Sequence, residues 1–112
     1  MAEHVKRQTT GNTGIKGLNQ RKLTSENNPP AMVLEVEVSP AGSHPRTQSI
    51  KSDRFYVCLE GTVLFQVQDK PVRIQKYDAI YLKREEWYSY TNDSNAVARV
   101  LLVQIPLVDP GA

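Results

Sequence analysis

From Met32 onward, apolar residues recur at every second position of the chain. The first such run, MVLEVEVS, begins shortly after the pair Pro29-Pro30. A period of two places successive side chains on opposite faces of an extended chain, so that one face is buried and the other is exposed. No segment shows a convincing helical period. We therefore predict an all-β chain.

Further runs of this kind follow, and turn residues separate them about every 8–12 residues. The predicted strands cover residues 32–39, 55–59, 62–68, 72–75, 79–82, 87–91 and 97–105. A more polar stretch, residues 43–52, lies between the first two of these strands. Seven or eight short strands in this arrangement predict an antiparallel sandwich or barrel.

Length and composition limit the number of domains and the kinds of partner. The chain has 112 residues, 39% of them hydrophobic and 23% charged, which predicts one globular domain. No apolar run is long enough to cross a membrane, and the first residues hold no secretion signal. A net charge of +2 is too small to indicate nucleic-acid binding. The single cysteine, Cys58, excludes an intrachain disulfide, and we expect a cytoplasmic protein.

The composition changes at Pro30, and this change divides the chain. Residues 1–30 are rich in polar residues and glycine and contain few large apolar residues. Such a segment buries little surface by itself, so we interpret it as an N-terminal arm that is flexible or contacts a partner, and that is partly ordered if it lies on the barrel or on a second subunit. Residues 31–106 form the predicted barrel, and residues 107–112 form a tail.

The turns between the strands resemble those of a known family. The matching pieces are YVCLEG at residues 56–61, a hairpin at Asp69, YDAIYL at 77–82 and YSYTN at 88–92. In this order and at these separations they resemble the central part of a small single-domain cupin. The resemblance implies a double-stranded β-helix, the jelly-roll barrel. It also implies a homodimer, formed by pairing sheets or exchanging N-terminal strands.

The chain departs from the metal-binding pattern that the cupin resemblance implies. The first motif usually carries two histidines and a glutamate, and this chain has His44, Arg46 and, by counting, Arg54 at those positions. The histidine of the second motif is replaced by Tyr88. A guanidinium keeps its positive charge and repels a divalent cation. We therefore predict a barrel that needs no metal and no other cofactor.

The remaining polar residues of the implied pocket suit a small organic ligand with an anionic or enolisable oxygen. A histidine can transfer a proton near neutral pH, an arginine can bind a carboxylate or enolate, and a tyrosine can donate to an oxyanion. The predicted catalytic residues are His44, for proton transfer, and Tyr88, as a donor or second acid. The predicted substrate-binding residues are Arg46, Gln48, Arg54, Tyr56, Tyr90 and Gln104.

A purely structural interpretation stands beside this one. His44 precedes Pro45 and can serve only to bond a loop carbonyl, and the arginines can be solvated surface residues. Tyrosines are good strand formers that often pack in a core. Cys58 is interpreted as a small hydrophobic residue buried in the core, and nothing in the sequence marks it as a nucleophile.

Three functions are therefore open. The first is a metal-independent enzyme that isomerises, epimerises, cyclises or eliminates a small oxygenated substrate by acid–base chemistry. The second is a non-catalytic barrel that binds or senses a small molecule. The third is a metal-dependent dioxygenase with an atypical ligand set, which would combine His44 with Asp53 or Glu60 and with His4.

Overall fold

A computed structural model describes residues 11–24 and 32–106, together with the single positions His4 and Lys6. These residues form two antiparallel sheets and no helix, and so contain no helix that could span a membrane. The strands are β1 (Gly11–Asn12), β2 (Leu18–Lys22), β3 (Met32–Val38), β4 (Ser43–Gln48), β5 (Ser52–Glu60), β6 (Thr62–Val67), β7 (Lys70–Gln75), β8 (Ala79–Leu82), β9 (Trp87–Thr91) and β10 (Ala98–Pro106).

The chain passes repeatedly between the two sheets. The larger sheet has the order β1-β2-β3-β10-β5-β8, and the smaller sheet has the order β4-β9-β6-β7. Two antiparallel sheets that are connected by repeated crossings of one chain, and whose apolar faces pack against each other, form a jelly roll. The predicted all-β jelly-roll class is confirmed.

Strand β4 lies in the polar stretch, residues 43–52, for which the alternation of apolar residues predicted no strand. Its sequence, SHPRTQ, has no apolar residue facing the core, and among the described strands it pairs only with β9, at one edge of the smaller sheet. The pairing register shifts between His44 and Thr47, where Pro45 lacks the N–H of a regular ladder. An edge strand with a bulge needs no apolar face, which is why its sequence lacks the period-two signal.

Strand β2 shows that the predicted arm is not separate from the barrel. Leu18–Lys22 pairs along its whole length with β3, and Leu18 is buried in the core. This differs from the boundary predicted at residue 30, because a polar strand next to an apolar one receives its order from the neighbour's ladder. Apart from His4 and Lys6, the rest of the predicted arm and the predicted tail lie outside the described residues.

The core fills the space between the two sheets, and its composition follows the predicted alternation. On β3 every second residue is buried, whereas the residues between are only partly covered. On β5 the inward positions Tyr56 and Cys58 are 1% and 0% exposed. The other buried apolar residues are Leu18, Leu34, Val36, Val38, Val63, Phe65, Ile74, Leu82, Tyr88, Tyr90, Ala98, Val100 and Leu102.

The hairpin predicted around Asp69 is present, with a turn one residue earlier than the sequence suggested. Gln68 and Asp69 have φ angles of 49° and 65°, and Val67 pairs with Lys70. Two consecutive left-handed residues make the two-residue turn that matches the twist of the flanking strands. Lys70 and Pro71 therefore belong to β7 rather than to the turn.

The outward face of the larger sheet combines an ionic cluster with apolar side chains. Arg99 bonds to Glu37 at 2.5 Å and to Glu60 at 3.1 Å, and Glu35 also accepts from Arg21. Beside this cluster lie partly exposed apolar residues, namely Val33, Phe55, Val57, Leu101 and Val103. The homodimer stays a prediction.

Two glycines hold the turn before β2 against the barrel. Gly17 has a φ of +83°, and a Cβ atom there would lie 2.7 Å from the Cα of Gly42. The carbonyl of Gly17 also accepts from the amide of Ser39 at 2.9 Å. No residue with a side chain can be accommodated at this crossing without moving the backbone.

We expect Gly17→Ala to destabilise the protein much more than Gly14→Ala. Gly14 has nearly the same φ, +84°, but a Cβ atom added there would meet nothing within 4 Å. Gly14→Ala should cost about 1 kcal/mol for the left-handed backbone. Gly17→Ala should cost a further ~1–3 kcal/mol for overpacking, measured by urea unfolding. Equal losses in the two variants would show that the Gly17–Gly42 crossing is not tight.

Candidate functional site

A cavity of about 340 Å³ lies between the two sheets. Its apolar wall comes from β3 and β10, through Met32, Leu34, Val36 and Leu102. Five of the predicted site residues line it, namely His44, Arg54, Tyr56, Tyr90 and Gln104. A concave, mostly apolar pocket with a few converging polar groups is the usual form of a small-molecule site.

Strand pairing explains why these side chains meet. Arg54 on β5 is the cross-strand partner of Gln104 on β10, and both face inward. His44 on β4 is paired with Tyr90 on β9 in the opposite sheet. Cross-strand partners have Cβ atoms about 5 Å apart, so each sheet brings a pair of polar groups to the cavity.

The ring of His44 has a fixed orientation and tautomer. It stacks on Tyr90, with ring centroids 5.2 Å apart, and on Tyr88 at 5.9 Å. Its Nδ1 lies 2.8 Å from the carbonyl oxygen of Pro45. Because a carbonyl oxygen can only accept, Nδ1 carries the proton in the neutral ring, and Nε2 keeps its lone pair.

The surroundings of His44 favour its neutral form. Burial lowers the pKa of His44 below its ordinary value of 6.5, the hydrogen bond to Pro45 opposes this, and the charge of Arg54 lowers it further. At neutral pH the imidazole is therefore uncharged and can accept a proton at Nε2. The structural and the functional interpretation of His44 are therefore compatible. The same ring bonds the carbonyl of Pro45 and can act as a base at the cavity wall.

Arg54 is held by a chain of buried hydroxyl groups. Its Nη1 donates to the hydroxyl of Tyr88, and this hydroxyl lies 3.1 Å from that of Tyr56. The Nε of Arg54 is buried without a hydrogen-bond partner. Among the described residues, no carboxylate lies within ion-pair distance of its guanidinium. The cavity therefore contains a partly buried cation that has no anionic partner in the part of the chain that the structure describes.

The two tyrosines on the cavity wall remain neutral hydrogen-bond donors. Burial raises the pKa of Tyr56 well above its ordinary value. Burial likewise raises the pKa of Tyr90, and the nearby hydroxyl of Tyr88 contributes in the same direction. Neither hydroxyl ionises at physiological pH, so each can donate to an oxygen atom of a ligand.

Three predicted site residues lie elsewhere. Arg46 stacks over Trp87, with its guanidinium carbon 4.6 Å from the ring centroid, and its Nε lies 3.8 Å from Asp69. Gln48 donates to the carbonyl of Glu85 at 2.7 Å. We predicted both as substrate-binding residues, but the bulge in β4 breaks the alternation along the strand, so they do not share the face of His44. Tyr88 is 1% exposed and sits behind Arg54 rather than on the cavity wall.

Sequence reasoning missed the part of the site that β2 supplies. Gln20 and Lys22 line the cavity, as does Thr13 in the turn before β2. The available signal was the spacing of Leu18, Gln20 and Lys22, which places them on one face of an extended segment. With a single large apolar residue, this signal was too weak to separate a strand from a polar arm.

The residues of the cavity do not fit a divalent cation. Within the described part of the chain, no three His, Cys, Asp or Glu side chains converge on one point. Asp53 accepts from Tyr81 and from the amide of Arg84, and Glu60 bonds to Arg99, so neither lies with His44. The cavity instead presents the guanidinium of Arg54, which opposes a cation.

Comparison with known families identifies the fold family. A family model described as the cupin domain matches residues 34–104, which is more than half of the chain. The chain belongs to the cupin family. No curated protein matches this cupin in sequence.

Solved structures with the same fold are distant in sequence. The polyketide cyclase RemF from Streptomyces resistomycificus is 24% identical, over 98% of this cupin and 82% of that chain, with a TM-score of 0.78. A predicted oxalate decarboxylase from Thermotoga maritima is 21% identical, over 88% and 93%, with a TM-score of 0.80. KdgF from Halomonas sp. is 12% identical, over 94% of each chain, with a TM-score of 0.80. These likenesses establish the fold of the cupin alone.

We expect Tyr88→Phe to destabilise this cupin by about 1–3 kcal/mol, because the charged guanidinium of Arg54 then loses the buried hydroxyl that accepts its hydrogen bond. Tyr81→Phe is the matched control, since its hydroxyl bonds to the charged Asp53 at the surface. That change should cost no more than about 0.5 kcal/mol. The measurement is urea unfolding of both variants. If Tyr81→Phe lowered the free energy of unfolding as much as Tyr88→Phe, burial of the contact between Tyr88 and Arg54 would add nothing to its contribution to stability.

We expect the NMR titration of His44 to have a midpoint below 6.5. Arg54→Met should raise this midpoint, although burial will keep it below the ordinary value. Because the unfolded state then binds more protons, the free energy of unfolding should fall as pH drops below about 6.5 toward the folded-state pKa. His44→Gln should remove this dependence. A midpoint at or above 6.5 would refute the buried, neutral state.

Proposed function

We propose that this cupin is a metal-independent enzyme that moves protons on a small oxygenated substrate. The observation that carries the proposal is the neutral imidazole of His44 in one cavity with the guanidinium of Arg54. A base beside a fixed cation is suited to form and stabilise an enolate. The fit of the donors to an organic oxygen, and their misfit to a divalent cation, supports chemistry by side chains.

The reaction begins with proton removal from a carbon next to a carbonyl group. Nε2 of His44 accepts the proton, and the C–H electron pair forms a new C=C bond as the carbonyl oxygen takes up negative charge. The charge of Arg54 and the hydroxyl of Tyr56 stabilise this enolate oxygen. Return of the proton to the opposite face of the same carbon gives epimerisation, and its return to another carbon of a conjugated enolate gives isomerisation. Attack of the enolate on an internal carbonyl gives cyclisation, and the alkoxide formed then takes the proton back from His44.

The roles of the tyrosines follow from their positions. Tyr56 and Tyr90 line the cavity and are suited to donate to oxygen atoms of the substrate. Tyr88 contacts Arg54 and stacks on His44, so its place favours positioning these two groups over the predicted role of second acid. The polyketide cyclase named above shares the fold. A ring-forming or ring-shaped substrate agrees with the aromatic side chains of Tyr56 and Tyr90 on the cavity wall.

We expect the protein to catalyse exchange of deuterium from solvent into carbonyl compounds that fit the cavity. Acetoacetate, 2-oxobutyrate and 2-hydroxyacetophenone form a suitable panel, followed by ¹H NMR in D₂O. His44→Gln should lower the exchange rate at least about 100-fold, the usual effect of losing a general base. His4→Gln is the matched control, because His4 is exposed, and it should exchange at the wild-type rate.

Exchange should continue in the presence of EDTA, and circular dichroism should show that His44→Gln is folded. Exchange by His44→Gln at the wild-type rate would remove His44 from the mechanism. Loss of exchange in EDTA would favour the metal-dependent alternative. Saturable binding of the panel without any exchange would favour the non-catalytic binding protein.

A further inference from the structure

Three polar side chains meet at one corner of the cavity, on two adjacent strands of the larger sheet. Arg54 and Tyr56 are successive inward residues of β5, and Gln104 on β10 is the cross-strand partner of Arg54. The Cβ atoms of such partners lie about 5 Å apart, so the guanidinium and the amide can contact one small group together. We call Arg54, Tyr56 and Gln104 the polar corner.

An apolar floor adjoins the polar corner. Gln104 pairs with Met32 on β3, and Leu102, the next inward residue of β10, pairs with Leu34. Strand β3 contributes only apolar side chains to the cavity, namely Met32, Leu34 and Val36. A ligand that matches this part of the wall carries its oxygen atoms close together at one end and places an apolar body on the floor.

The polar corner offers more hydrogen-bond donors than one carbonyl oxygen can use. Nη1 of Arg54 donates to the hydroxyl of Tyr88, whereas Nε is buried without a hydrogen-bond partner. The described lining of the cavity holds no aspartate or glutamate that could pair with this guanidinium. A carbonyl oxygen has two lone pairs, which Arg54 and Tyr56 fill when both donate to it. The amide of Gln104 is then left for a second oxygen atom.

The base strength of His44 agrees with a substrate that has two such oxygens. Burial lowers the pKa of His44, and the charge of Arg54 lowers it further. A weak base removes a proton efficiently only when the carbon that loses it is acidic. A carbon between two carbonyl groups is more acidic than a carbon beside one, because two oxygen atoms share the charge of the enolate.

We infer that the polar corner binds both oxygen atoms of a 1,3-dicarbonyl substrate, one at Arg54 and Tyr56 and the other at the amide of Gln104. This inference rests on the proposed function for the role of His44. Nε2 of His44 takes the proton from the carbon between the two carbonyl groups, and the C–H electron pair spreads over both oxygens. Gln104 is then the residue that distinguishes a dicarbonyl compound from a simple ketone.

The test compares two probes that differ in one carbonyl group. The diketone is 1-phenyl-1,3-butanedione, and the ketone is 4-phenyl-2-butanone, in which a methylene group replaces the carbonyl next to the ring. Isothermal titration calorimetry of the full-length protein should show at least about tenfold tighter binding of the diketone, because the ketone leaves the amide of Gln104 unpaired. Gln104→Leu should weaken binding of the diketone about tenfold and change binding of the ketone no more than about twofold.

Gln75→Leu is the matched control, because Gln75 is exposed at the end of β7 and does not line the cavity. It should bind both probes as the wild type does. Gln104→Glu should weaken the diketone more than Gln104→Leu, since its carboxylate would pair with Arg54 and repel the enolate. Equal weakening of both probes by Gln104→Leu would mean that this residue only shapes the cavity and would overturn the inference. Failure of the wild type to prefer the diketone, or to bind it, would overturn it too.

The outcome is separate from that of the proposed chemistry. Preference for the diketone that depends on Gln104, together with deuterium exchange that His44→Gln leaves unchanged, would support the polar corner and reject His44 as the base. Exchange that depends on His44, together with equal binding of the diketone and the ketone, would keep the reaction and reject the polar corner as a site for two oxygens.

Discussion

Apart from the bulge in β4, the strands around the cavity turn every second side chain toward one shared interior, and this constraint determines which residues can meet. Inward positions on β3, β5 and β10 are mostly apolar, and Arg54 and Gln104 continue the same rows at the cavity. A polar residue on such a row has no solvent to face. Its hydrogen bonds must come from neighbouring rows, as Arg54 obtains one from Tyr88, or from a ligand.

The parts that sequence could predict are those in which this alternation is unbroken. The alternation places Arg54, Tyr56 and Cys58 on one face of β5, and Leu102 and Gln104 on one face of β10. On β5 the cupin resemblance, rather than the alternation, indicates which face is the inward one. Where a bulge inserts an extra residue, the parity changes without any mark in the hydrophobic pattern. This is why His44 faces the cavity while Arg46, two residues later, lies over Trp87 outside it.

The N-terminal strand illustrates a second limit of sequence patterns. β2 is ordered by its ladder with β3 and by the glycine crossing at Gly17, and neither requires apolar residues in β2 itself. Its polar residues are polar for two different reasons, since one face carries Arg21 in its ion pair with Glu35 and the other meets the cavity. A sequence alone shows both as the same hydrophilic segment, so Gln20 and Lys22 were assigned to an arm rather than to a site.

Replacing metal ligands by an arginine and a tyrosine changes the kind of partner a barrel can accept. A cluster of imidazoles and carboxylates stabilises a cation, whereas a partly buried guanidinium stabilises an anion and adds to the burial that lowers the pKa of the remaining His44. The same charge thus has two effects that support the proposed reaction. Together with burial it keeps the imidazole of His44 free to accept a proton, and in that reaction it favours the negative charge that the substrate acquires when the proton leaves.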